Sequence, residues 1–223
     1  MSSTAAPRPW ADSPCVATIA PRRRRCITPV AIATVRAANA GQPEAWCAKQ
    51  RAAVLPVAYH HLVLTLPHVL NPWIEVHDRE LYALLFATVW ATLSVFGLDP
   101  KRLGGQLGMT AVLHTWGQTL TRHVHLHCLV PGGVLTEQGH WSPATSTYLF
   151  PVRALSRHLR GGFVSRLRQA IAAGRFERLK DSAEIDAALD ALMGPSGWST
   201  PSPVWVVPRP WSITSVVTAG ASP

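Results

Sequence analysis

The stretch Arg122-His123-Val124-His125-Leu126-His127-Cys128-Leu129-Val130 decides the reading of this chain. Its apolar and polar residues alternate, and alternate side chains of a strand share a face. His123, His125 and His127 therefore project one way, while Val124, Leu126, Cys128 and Val130 project the other way, into a core. Neutral imidazoles two residues apart on a rigid strand can converge on one ion near pH 7. The plainer alternative is an exposed polar face that happens to hold three histidines. A zinc hydrolase motif of the form His-x-His-x-Asp-His does not fit, because His127 and Cys128 occupy its last two positions.

Outward from this strand, hydrophobic periodicity lays out a folded middle. Residues 43–55 read as a short helix carrying Trp46. Residues 59–66 read as a strand stopped by Pro67. Asp78 is a plausible N-cap for a helix running to Phe96, ended by Gly97 and Pro100. Residues 107–115 read as a second strand, 123–130 as the third, and 148–150 as a short extended piece. Residues 152–173 form a basic amphipathic helix with Leu155, Leu159, Phe163, Leu167 and Ile171 on one face. Residues 183–193 form a last helix. Strands and helices mix without a βαβ alternation, so the class is α+β.

Composition narrows the function. The chain has 223 residues, 48% of them hydrophobic, enough for one domain with a core. Twenty-one Lys+Arg against 12 Asp+Glu give a net charge of +9, which favours an anionic partner such as nucleic acid. The four cysteines, Cys15, Cys26, Cys47 and Cys128, match no disulfide framework and no Cys-x-x-Cys zinc site. A reducing cytoplasm is the default. Residues 22–40 mimic a signal peptide, but the apolar part is short, holds Pro29 and begins late. Residues 81–96 are apolar, yet shorter than the roughly 20 residues a bilayer requires. A buried helix and no membrane are expected.

The string LHTWGQTLTRHVHLHCLVPGGVL, residues 113–135, resembles the signature of the two-tyrosine rolling-circle transposases of bacterial insertion sequences. These belong to the HUH nuclease superfamily, in which U is a hydrophobic residue. EAWCAKQRAAVLPVAYHHLVLTLPHVLN upstream and LFPVRALSRHLRGGFVSRLRQAIAAGR downstream are similar to the same family, so the likeness covers residues 44–197. The resemblance implies a ferredoxin- or RRM-like core: an antiparallel sheet with helices packed on it. It makes His125-Leu126-His127 the HUH triplet. It also implies Mg²⁺ or Mn²⁺ as cofactor, single-stranded DNA at transposon ends as partner, and a tyrosine nucleophile. The third metal ligand stays open among His123, which shares the strand face, His114 and Gln118. Trp116 and Gln118 can help shape the site. Arg153, Arg157, Arg160, Arg166 and Arg168 are candidates for phosphate contacts, or simply a solvated helix face.

The flanks depart from that family. Its nucleophiles are two tyrosines four apart, in a setting like YLGRY, preceded far upstream by a segment such as CRNRHCPxC. Here the tyrosines are Tyr59, Tyr82 and Tyr148, none in that setting. Joining the third base of each codon to the first two of the next lets residues 199–223 encode VDAKPGLGGPEAVVDYLGRYSRRV. Tyrosine codons then straddle Ile213/Thr214 and Val217/Thr218. The same shift over residues 28–38 can encode SCRNRHCP. The expectation is an in-frame core at 43–197 between frameshifted segments at 1–42 and 198–223, both irregular, and no DNA cleavage by the chain as written. Two rivals remain: a hydrolytic metalloenzyme using the same histidines, and a non-catalytic DNA-binding fragment.

Overall fold

The structure is a computed structural model, and it describes residues 30–33, 55–116, 122–145, 150–194 and 204–208. Its centre is a five-stranded sheet in the order β1-β3-β4-β2-β7. The strands are β1 (Val30–Ala33), β2 (Tyr59–Thr65), β3 (Met109–Trp116), β4 (Arg122–Pro131) and β7 (Val204–Pro208). The helices are α1 (Asn71–Leu98), α2 (Val152–Ala172) and α3 (Ser182–Met193). β2, α1, β3, β4, α2 and β7 follow one another as βαββαβ. Their strands pair antiparallel throughout, with β4 between β3 and β2 and with β7 on the far side of β2. That is the ferredoxin-like arrangement expected of the sequence. β1 adds a parallel strand at the β3 edge.

The register divides the sheet into two faces. Val124, Leu126, Cys128 and Val130 of β4 join Leu62 and Leu64 of β2 and Ala111 and Leu113 of β3 in the hydrophobic core. The helices close that core with Leu81, Leu85 and Leu93 from α1, Leu155, Leu159, Phe163 and Leu167 from α2, and Leu189 and Leu192 from α3. The spacing of four along α2 is the stripe that the sequence predicts. The strand bounds agree with expectation to within two residues at each end.

Helix α1 departs from expectation. It begins at Asn71 with Pro72 in its first turn, where the missing N–H costs no hydrogen bond. His77 interrupts it with non-helical backbone (φ −140°, ψ 44°). There the imidazole Nε2 accepts from the N–H of Arg178 (3.2 Å), tying the kink to the α2–α3 connection. Asp78 starts the second segment, its Oδ1 accepting from the N–H of Arg79 (2.7 Å). The expected N-cap thus marks a break inside a longer helix. Among the described residues this one helix is long and apolar enough to cross a membrane. Its buried stripe, from Trp73 to Phe96, is spent on the protein core. Helix α3 is capped by Asp181, whose side chain accepts from Ala183 and Glu184 N–H groups.

A small antiparallel hairpin of β5 (Gly133–Leu135) and β6 (Trp141–Pro143) has no counterpart in the sequence reading. Its turn places Gly139 at φ 77°, a left-handed conformation that glycine adopts without strain. Two flanking segments expected to be irregular contain the edge strands β1 and β7. Their β-branched residues, Val30 and Ile32, then Val204, Val206 and Val207, suit extended backbone whatever frame produced them. The expected helix at 43–55 lies outside the described residues, apart from Leu55. The extended piece at 148–150 does too, apart from Phe150, which is buried in the core.

Candidate metal centre

The second face of the sheet carries the histidines. β4 contributes His123, His125 and His127, as its alternation requires. Antiparallel register sets His114 of β3 opposite His125, and Val112 of β3 and Val63 of β2 opposite His127. His61 of β2 lies one step along, opposite Leu129. Directly opposed side chains share a face, so two neighbouring strands deliver imidazoles to the same surface.

Three of these rings form a group. One nitrogen from each of His114, His125 and His127 lies within 4.8 Å of the others. The ring centroids are 4.2 Å apart for His114 and His127, 4.8 Å for His125 and His127, and 5.1 Å for His114 and His125. The protons are arranged for ligation. The Nδ1–H of His125 donates to the carbonyl oxygen of His123 (2.9 Å), which leaves Nε2 as the lone-pair nitrogen. His127 is buried, and its Nε2 has no hydrogen-bond partner. A buried imidazole nitrogen without a partner calls for an explanation, and a cation is one that fits.

Electrostatics keeps the group neutral. Burial first, then the neighbouring imidazoles of His114, His125 and His61, lower the pKa of His127 to about 2. Burial, with His125 and His61, lowers that of His114 to about 4. His125 is also lowered, chiefly by burial, although its bond to the His123 carbonyl pulls the other way. Neutral imidazole is the ligating form, so near pH 7 no proton has to leave before a divalent cation binds. The donor set fits the Mg²⁺ or Mn²⁺ expected of the sequence, and imidazole nitrogen suits Mn²⁺ better than Mg²⁺.

His123 sits farther along the strand, away from this group. Its Nδ1 meets His68 Nε2 at 2.9 Å in an exposed pair. Its contribution to the group is the backbone carbonyl. Gln118 lies outside the described residues, and of Trp116 only the strand backbone is described. Arg153, Arg157, Arg160, Arg166 and Arg168 all belong to α2, which packs on the apolar face, across the sheet from the imidazoles. Arg168 is engaged with Asp190 at 3.2 Å, and Arg166 donates to the Gly162 carbonyl. His61 was not singled out from sequence. It follows His60 directly, and only the register with β4 says which of the two faces the cluster.

Among the tyrosines, Tyr59 has its hydroxyl oxygen accepting from the Leu55 N–H (3.0 Å). Tyr82 is packed against the core from α1. Tyr148 lies outside the described residues. Cys128 is fully buried on the apolar face, and burial pushes its thiol pKa upward, away from the ligating thiolate.

Comparison with known proteins agrees with this geometry. Residues 108–207 match the family described as "Putative transposase", Y2_Tnp. Over 137 residues the chain is 39% identical to "Putative transposase y4qJ" of Sinorhizobium fredii (strain NBRC 101917 / NGR234), covering 61% of this chain and 34% of that protein. Over 96 residues it is 35% identical to the transposase for insertion sequence element IS801 of Pseudomonas savastanoi pv. phaseolicola, covering 43% of this chain and 22% of that protein. The chain therefore spans about a third and about a fifth of the length of these two relatives. No solved structure matches. With its histidine strand and the hairpin partner of that strand inside the matched segment, the core of this chain belongs to the Y2 transposase family.

Proposed function

We propose that these residues are the metal-binding core of a rolling-circle transposase that nicks and transfers single-stranded DNA at transposon ends. The observation that carries the proposal is the three-imidazole group with the buried, unpartnered Nε2 of His127 at its centre. In this reading His114 is the third ligand beside His125 and His127. Bound there, Mg²⁺ or Mn²⁺ supplies Lewis acidity toward a phosphate oxygen and holds the strand in place. His125 presents Nε2 because its Nδ1–H is held by the His123 carbonyl. Depressed pKa values keep the rings from competing for the phosphate as cations, so the positive charge at the site is the ion's own.

The nucleophile is a tyrosine hydroxyl in the family that the sequence resembles, and none of the described tyrosines belongs to the histidine group. We read residues 43–197 as the in-frame core, and 1–42 and 198–223 as shifted in frame. On that reading the 223 residues bind the cation but form no phosphotyrosine bond. A hydrolytic metalloenzyme would use the same three rings, and the DNA family match favours the nuclease.

The test is a nicking assay on single-stranded oligonucleotides with Mn²⁺, run on the chain as written and on a version whose reading frame is restored after Trp198. The expected result is a covalent protein–DNA adduct from the restored chain alone. An adduct from the chain as written sinks the inactive-core reading. No adduct from a folded, Mn²⁺-loaded restored chain sinks the tyrosine assignment. Reading the codons at Ile213/Thr214 and Val217/Thr218 tests the frame directly.

A further inference from the structure

One buried imidazole beside the centre has no place in the ligand set. His61 projects from β2 with 5% of its surface exposed, and its Nε2 lies 2.7 Å from His127 Nδ1. The ring centroids are 5.0 Å apart and the planes differ by 15°. Those values describe two rings set edge to edge, since the centroid separation is taken up by the bond and the two ring radii. The hydrogen bond runs in the plane of both imidazoles, along the axis where a nitrogen holds its proton or its lone pair.

A neutral imidazole has one N–H and one lone pair, so this bond fixes both tautomers together. If His61 Nε2 carried the shared proton, His127 would carry its own on Nε2. That nitrogen is buried with no acceptor in reach, so a donor would be stranded. With the proton on His127 Nδ1, its Nε2 keeps a lone pair aimed into the group with His114 and His125. We infer that His61 is a positioning residue, which accepts the Nδ1–H of His127 and so holds that ring in its ligating tautomer and plane. The inference rests on the metal-centre reading above. His125 receives the same service from a backbone carbonyl, which no side-chain substitution removes. His127 depends on a side chain.

The rival role for His61 is that of a direct ligand, with His127 coordinating through Nδ1. Two measurements on the full chain separate them. The first is imidazole ¹⁵N NMR of the metal-free wild-type protein, in which the expected proton on His127 is at Nδ1. A proton at Nε2 overturns the inference, and this readout needs neither metal nor activity. The second is Mn²⁺ titration followed by electron paramagnetic resonance. His61→Phe is expected to weaken binding about 10–100-fold with unchanged far-ultraviolet circular dichroism, and His61→Gln, whose side-chain carbonyl can accept the same proton, to recover most of the loss. Wild-type affinity in His61→Phe overturns the inference. So does a folded His61→Gln protein as weak as His61→Phe, because the imidazole itself is then required. Failure of the wild type to bind Mn²⁺ defeats the metal-centre reading instead, and the tautomer measurement still decides the His61–His127 relationship.

Discussion

His114 and His125 are cross-strand partners, facing one another from β3 and β4 with ring centroids 5.1 Å apart and planes at 81°. This pairing turns a row of histidines on one strand into a three-point group on two. It also separates the roles of His114 and His123, which sequence leaves as rivals for the same place.

Replacing His114 with alanine is expected to weaken Mn²⁺ binding more than replacing His123. His123→Ala keeps the backbone carbonyl that orients His125 and removes only the exposed contact with His68. Calorimetric titration of both variants checks the order. Equal losses, or a larger loss for His123→Ala, put the third ligand back on β4.

Acidification should destabilise the metal-free protein. The unfolded chain takes up protons on these histidines near the ordinary value of about 6.5. The folded chain resists until about pH 4 at His114 and about pH 2 at His127. The unfolded state therefore binds more protons below about pH 6.5, and stability falls as pH drops toward 4. It is flat with respect to these groups above that range. The slope is at most about 1.4 kcal/mol per pH unit for each histidine, and less for His114, whose ring keeps some solvent screening. Urea midpoints at neutral and mildly acidic pH measure it, and His127→Leu should flatten the profile. A midpoint that holds or rises on acidification contradicts the neutral buried cluster.

The layer behind the imidazoles should govern folding more than binding. Leu126 is 0% exposed between His125 and His127, and faces the helices. Leu126→Ala should cost about 2–5 kcal/mol of stability by urea unfolding. His125→Ala should cost far less while removing a ligand. Gly133→Ala probes the hairpin: an added Cβ would fall 2.5 Å from the Ser142 carbonyl oxygen and from the Trp141 ring, so a loss of about 1–3 kcal/mol is expected.

The arginines of α2 should matter little to DNA held at the metal face. Arg153→Ser with Arg157→Ser should leave Mn²⁺ affinity unchanged. The salt dependence of single-stranded DNA binding should also stay close to wild type, since each lost phosphate contact lowers the slope by only about 0.7. A slope reduced by the full amount for two contacts would mean that the strand wraps to the helical side.

Much of this was legible in the chain itself, and the parts that were not share a cause. The alternation within 122–131 carries its own face assignment, so β4, its histidines and its apolar backing could be read directly. The stripe of α2 is local in the same way. His114 and His61 could not be assigned, because their place depends on pairing with β4 across a turn and across α1. The β3–β4 register also shifts between His114 and Trp116, an irregularity that no spacing rule announces. The break at His77 was half visible, since Asp78 reads as a cap. The Arg178 N–H that holds the kink is about a hundred residues away. β5 and β6 were missed because three-residue strands are too short to show a period.

The strict division of β4 into an imidazole side and a greasy side also bears on how the gene can change. Adding or deleting one residue inside that strand would turn every later side chain over, burying nitrogens among the helices and presenting leucine and cysteine to the cation. Such a lesion would cost the ligands and the core in one event, leaving no folded remnant with an empty site. Frame damage can be tolerated in the segments outside this strand, and a surviving copy would be expected to carry it there.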